Sequence, residues 1–234
     1  MIVVVGERGG VEETSFVLEH GADPVRGLVE RGWVAGAVVA DGVPEDLVLR
    51  YEVSAADPPR ATGSGPLLRP PLATGATEAD RAAARRRRRV AAYAVVVESG
   101  ALLLTRLAPR TGAAGDWTLP GGGVDAGEEP VAAVHREVAE ETGQSLSEVR
   151  LVGVMTAHWV GVSERGPEEN HAVRLLHTAR CTSPTRPVVH DVGGSTTEAR
   201  WVPLTEVAGY RLVPTVPVAL AATGHGWAHP NAQS

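Results

Sequence analysis

The stretch Gly121–Gln144, GGGVDAGEEPVAAVHREVAEETGQ, decides how this chain is read. A glycine turn leads to Glu128, Pro130 stands at a first helical position, and Gly143 falls just past the helix end. Between them come Glu128, Arg136, Glu137, Glu140 and Glu141. On a helix Glu137 and Glu141 lie one turn apart on one face with Glu140 beside them, and like charges so spaced destabilise a bare helix. A bound divalent cation would offset them and is the natural candidate, because Mg2+ and Mn2+ take carboxylate oxygens. A merely solvated acidic face would need neither the glycine turn nor Glu128 at these intervals.

Outward from this helix the pattern alternates strands and turns. Val90–Glu98 and Ala101–Arg106 flank Ser99-Gly100 and predict a β-hairpin. A loop, APRTGAAGD, leads to a short strand at Trp117–Leu119. After the helix come a strand at Val149–Thr156, a polar loop at Glu164–Asn170 and a strand at His171–Thr182. A second loop at Pro184–Ser195, a strand at Glu198–Val202, a short helix opening at Leu204–Val207 and a helix at Val216–Ala222 follow. The tail from His225 reads as disordered. Helices mixed with hairpins argue for an α/β or α+β sandwich rather than a doubly wound parallel sheet.

The first third reads as a separate α+β module over residues 1–54. Met1–Gly6 predicts a buried strand, Asp23 caps a helix running to Arg31 with Gly32 as its stop, and Val34–Ala40 and Leu47–Val53 predict two strands. A β-α-β-β unit of this size is small to fold alone. It would serve as a substrate lid, as a dimerisation element that makes the protein a homodimer, or only as a stabilising extension. Residues 55–89 then read as a linker and an Arg-rich segment: 55–75 is rich in Pro, Gly, Ala and small polar residues, and Thr77 caps a helix that the Arg85–Arg89 run ends. Without interleaved aromatic residues, that run reads as a solvated helix end and strand start before it reads as a phosphate contact.

Composition narrows the function classes. A formal charge of −6 on 234 residues offers no basic field for general nucleic-acid binding. The single cysteine, Cys181, rules out an intrachain disulfide and a Cys-based zinc site. No run approaches a membrane span, and the start lacks a basic signal-peptide region, so a cytoplasmic protein is expected.

The residues Gly122, Glu128, Arg136-Glu137-Val138, Glu140-Glu141 and Gly143 resemble the Nudix box, G-x5-E-x7-R-E-U-x-E-E-x-G-U, where U is apolar. Gln144 at the final U is the one departure, at a position that normally packs. WTLPGG before the box and EARWVPLTEV after it are similar to Nudix segments, and the resemblance spans Val90 to Tyr210. It implies a Nudix-type α/β/α sandwich over 90–222 and a Mg2+- or Mn2+-dependent hydrolase of a diphosphate linked to another group. Carried over by position, Glu137, Glu141 and Glu140 would hold metal together with Glu128 and the Gly122 carbonyl. Glu140 and Glu141 would serve catalysis, with Arg136 orienting a glutamate. Glu168, Glu169 and Glu198 are the acids from which a loop base would come. His158, Trp159 and Arg174 are candidates for substrate contact; Trp117 would stack on a base or cap the core, and His135 and His171 read more simply as surface, core or rim positions.

The small-molecule substrate is expected to be a nucleoside triphosphate or a nucleoside diphosphate derivative. Neither the proline that marks ADP-ribose hydrolases of the family nor the tyrosine that marks dinucleoside polyphosphate hydrolases occurs in MTAHWVGVSERG, residues 155–166. A prenyl or sugar diphosphate, and a nucleotide sensor that does not hydrolyse, are the alternatives.

Overall fold

The computed structural model describes residues 1–57, 69–109, 111–191 and 193–225. Much of the expected linker and tail, along with Arg110 and Val192 in the two expected loops, lies outside the described residues. In chain order the elements are β1 (Ile2–Arg8), β2 (Val11–Val17), α1 (Pro24–Glu30), β3 (Trp33–Val43), β4 (Asp46–Ala55), α2 (Glu78–Ala83), β5 (Arg85–Glu98) and β6 (Ala101–Leu107). There follow β7 (Trp117–Thr118), β8 (Gly121–Gly123), α3 (Pro130–Thr142), β9 (Leu146–Ser163), β10 (Gly166–Cys181), β11 (Thr196–Pro203), a 3-10 turn at Val207–Gly209 and α4 (Thr215–Ala222). The chain divides into two compact units. Among the described residues no helix is long and apolar enough to cross a membrane.

The first unit takes residues 1–91, 124–129 and 154–174. Its four-stranded sheet has the order β2-β1-β4-β3, with β1 parallel to β4 and the other pairs antiparallel. The Asp23 side chain accepts the Arg26 amide and caps α1, as the sequence predicts. Strand β2 is absent from the sequence reading. It is a half-solvated edge strand carrying Glu12, Glu13 and Thr14, and such an edge shows little apolar alternation. Its Phe16 reaches α1, where it lies against Gly27 and beneath the Arg31 guanidinium at 3.9 Å. The helix after Thr77 stops at Ala83, and Arg85–Arg89 begin β5 instead of ending that helix. In strand geometry Arg87 pairs with Glu168, and Arg88 donates to the Leu18 carbonyl. The same pairing explains why Gly166–Asn170, expected as loop, extends β10: cross-strand ion pairs offset the poor strand propensity of its acids.

The second unit takes residues 92–123, 130–153 and the chain from 175 onward. The larger sheet has the order β11-β6-β5-β10-β9, with β7 on β6 and β8 on β5. Ser99 and Gly100 both have positive φ, the mirror-image turn expected between β5 and β6. The unit's core is aliphatic: Val96, Leu102–Leu104, Leu119, Val134, Val138, Leu175, Leu176 and Leu220 are all buried. The 3-10 turn begins at Val207, where the short helix was expected to open at Leu204.

His177 is a polar intrusion in this core, with its Nδ1 buried and lacking a hydrogen-bond partner. Burial pushes its pKa down from 6.5 to about 4, against backbone hydrogen bonding at Tyr93 and Leu175. Between those pH values the unfolded chain binds a proton that the folded chain refuses, so stability falls as pH drops. Denaturant melts should show full stability above pH 6.5 and a loss of up to about 3 kcal/mol from this group by pH 4. His177→Leu should flatten that part of the profile, and an unchanged profile would contradict the assignment.

Candidate functional site

Helix α3 buries one stripe, Pro130, Ala133, Val134, Val138, Glu141 and Thr142. Five of these follow from packing, but Glu141 is a carboxylate that is only 3 % exposed. Three donors satisfy it: Thr196 Oγ1 at 2.5 Å and Ser195 Oγ at 3.3 Å on Oε1, and the Gly121 amide at 3.0 Å on Oε2. Burial pushes its pKa up to about 7; the three hydrogen bonds pull it down, and the like charge of Glu137 adds to the rise.

Glu137 lies one turn before Glu141 and faces β8. A Cβ built on Gly122 would stand 2.5 Å from Glu137 Oε1, so only glycine lets the backbone come this close to the carboxylate. Gly121 is required for another reason: φ is +140°, and a Cβ there would meet the Ala92 carbonyl at 2.3 Å. Arg136 ties the group together. Its Nη1 donates to Glu137 Oε1 at 3.0 Å and to Glu140 Oε2 at 3.4 Å, and its Nη2 donates to the Gly123 carbonyl at 3.1 Å. The geometry therefore gathers Gly122, Arg136, Glu137, Glu140 and Glu141. Hard oxygen donors fit a divalent ion, and two acids one turn apart, one of them buried, leave negative charge that such an ion would neutralise.

The C-terminal end of α3 is closed by a loop. The Val188 amide donates to the Thr142 carbonyl, and the His190 and Asp191 amides donate to the Glu140 carbonyl. The loop walls a cleft of about 520 Å³ lined by Ala108, Pro109, Val189, Asp191, Thr196 and Thr197. Thr196 both lines this cleft and holds Glu141. No local sequence pattern announces Ser195 or Thr196, because their partner is more than fifty residues away.

Gln144 is buried, and all of its amide is used. Nε2 donates to the Thr142 carbonyl and Thr185 Oγ1, both at 3.1 Å, while Oε1 accepts from the Thr185 amide at 3.0 Å and from Cys181 Sγ at 3.4 Å. A buried polar network thus stands where the box pattern has an apolar residue.

The other candidates divide between the units. Glu128 belongs to the first unit, where its Oε2 accepts from the Asp125 amide at 3.0 Å. Glu198, in the second unit, is ion-paired with Arg200 and with Arg106. Glu168 pairs with Arg87 at 3.2 Å. Trp159 lines a small cleft of the first unit with Arg87, Asn170 and His171, and Arg174 is half-buried on β10. His158 and Glu169 meet each other, Nε2 to Oε1 at 2.9 Å. His20, absent from the sequence reading, joins them with its Nε2 at 3.1 Å from the Glu169 carbonyl oxygen. Burial lowers the pKa of His20 and takes His171 beside it down to about 4, with Arg88 adding to the latter. Burial alone would raise Glu169, but its bond to His158 and the charge of Arg86 hold it below the usual carboxylate range.

Comparison with known proteins adds a further line of observation. The family model of the NUDIX domain matches residues 85–220, more than half of the chain. Among solved structures, a MutT NUDIX hydrolase from Burkholderia pseudomallei shares 28 % identity, with 58 % of this chain and 98 % of that one covered and a TM-score of 0.48. A NUDIX hydrolase from Nitrosomonas europaea shares 25 %, with coverages of 62 % and 94 % and a TM-score of 0.47. The NUDIX domain of Shewanella oneidensis NrtR, solved in complex with ADP ribose, shares 20 %, with coverages of 64 % and 98 % and a TM-score of 0.49. None of the curated proteins matches the sequence.

Two substitutions test this geometry. In Gly122→Ala the new methyl group first meets the Glu137 carboxylate, which is the movable end of a side chain. The variant should keep the fold, by thermal melt, yet weaken Mn2+ binding at least about 10-fold in calorimetric titration. Gln144→Leu restores an apolar residue but strips partners from Thr185 and Cys181. It should destabilise the protein by about 1–3 kcal/mol in urea, whereas a stabilised variant would contradict the network.

Proposed function

Because the chain belongs to the Nudix family, we propose that it hydrolyses the diphosphate linkage of a nucleoside triphosphate or nucleoside diphosphate derivative with Mg2+ or Mn2+. The observation that carries this reading is the buried Glu141 carboxylate, held by three donors and facing a second acid that glycine alone lets approach the backbone. Such an arrangement has little value for packing, since an apolar residue would bury at lower cost. Glu137 and Glu141, with the Gly122 carbonyl and Glu140, would hold the cation. When bound, that ion supplies charge neutralisation on the diphosphate oxygens and acidifies water.

The remaining work falls to side chains. Arg136 keeps Glu137 and Glu140 in place through its two hydrogen bonds, and its third bond, to Gly123, fixes the guanidinium itself. Glu140 is more exposed than Glu137 or Glu141, its side chain 46 % accessible, and besides its bond to Arg136 it would take the proton of the attacking water. Attack at phosphorus breaks the bond to the bridging oxygen, which leaves with the departing phosphate. The cleft beside Thr196 has the size and apolar walls to receive the non-phosphate part of the substrate.

Glu137→Gln and Glu141→Gln should each lower turnover by roughly 10²-fold or more while circular dichroism shows a native fold. The assay is a panel of nucleoside triphosphates, nucleotide sugars, dinucleotides and prenyl diphosphates with Mg2+ or Mn2+, read out as phosphate and pyrophosphate. Wild-type rates in both variants would refute the assignment. Hydrolysis confined to prenyl or sugar diphosphates would move the substrate class, and no hydrolysis anywhere would point to a sensor.

A further inference from the structure

The first unit holds a second cluster of ligating side chains, and nothing in the proposed hydrolysis uses it. His20 follows β2, His158 lies on β9 and Glu169 on β10, and one ligand atom from each falls within 4.8 Å of the others. Three imidazoles converge here: the His20 ring stands edge-on to His158 and to His171, at 5.4 Å in both cases, and His158 is 6.3 Å from His171. His171 is fully buried, accepts from Arg88 Nε at Nδ1, and has no hydrogen-bond partner for Nε2. Apolar side chains would fill this space at lower desolvation cost.

The backbone is also shaped to the cluster. Gly21 has φ +81°, and a Cβ there would lie 2.3 Å from His158 Nδ1. Glycine at this turn lets the His158 ring approach the main chain this closely. The nearby charges are Arg86, 3.7 Å from Glu169 Oε2, and Arg88 on His171; Glu169 supplies the opposing negative charge.

We infer that His20, His158 and Glu169 form a binding site for a borderline divalent transition ion of the Zn2+ class, separate from the carboxylate site on α3. Two imidazoles and one carboxylate suit such an ion and do not suit Mg2+, which prefers all-oxygen sites. The hydrogen bond from His158 to Glu169 and the contact of His20 with the Glu169 carbonyl give way to the ion. Because the ligands come from positions far apart in sequence, the ion clamps the turn before α1 onto the β9–β10 hairpin. Its effect is therefore on stability.

The test uses the full chain in excess Mg2+, which occupies oxygen sites. One equivalent of Zn2+ should bind, and at 100 times Kd it should raise the melting temperature by roughly 5–10 °C. Co2+ in its place should give the intense visible absorption of a four-coordinate site with nitrogen ligands. His158→Gln removes a ligand, and Gly21→Ala keeps all three but displaces the ring; each should weaken Zn2+ binding at least about 10-fold. Undiminished binding in both variants, or no Zn2+ equivalent above Mg2+ in the wild type, overturns the site. If either variant fails to fold, the wild-type Co2+ spectrum decides, and the weak absorption of an all-oxygen site overturns it. Loss of hydrolysis in the α3 variants leaves this result untouched, so the two readings fail separately.

Discussion

A carboxylate buried on the packed face of a helix is the constraint on which the second unit turns. Glu141 occupies a position that the spacing of Ala133, Val134 and Val138 assigns to the core. It stays there only because Thr196, Ser195 and the Gly121 amide surround its two oxygens. Those donors come from two parts of the chain, β8 and the start of β11, and both must be in place beside α3 before the charge is tolerated. The glycines follow from the same demand. Gly121 and Gly122 bring the main chain against β5 and against Glu137, where any side chain would intervene.

The loop after β10 is held by comparable means. Its amides complete the last turn of α3, so helix and cleft wall are one hydrogen-bonded piece. Gln144 adds a polar tie to Thr185 and Cys181 at the point where the helix ends. In the first unit, polar ties again join distant segments: Arg87 to Glu168, Thr156 to Asp23, and the imidazoles to Glu169. Both units thus use small polar networks to join distant segments, and function is most economically sought in those networks.

Legibility in the sequence followed the range of the forces involved. The Asp23 cap, the Ser99-Gly100 turn and the span from Pro130 to Gly143 are local features, and they form where their residues predict. Strand β2 escaped because edge strands need only one packed face, and its polar composition hides it. Gly166–Asn170 reads as loop because charged residues disfavour strands until opposite charges face them across the sheet. That partnership exists only after folding.

From its order of residues alone the chain determined the helix of α3, the crowding of its acids and the glycine turn that precedes them, since these depend on neighbours within one or two turns. Tertiary structure decided which acid is buried, which hydroxyls satisfy it, and that Gln144 belongs to a network rather than to an apolar contact. It also brought His20 to His158 and Glu169 across more than a hundred residues. Burial and long-range hydrogen bonding are properties of the packed chain, and no local spacing encodes them.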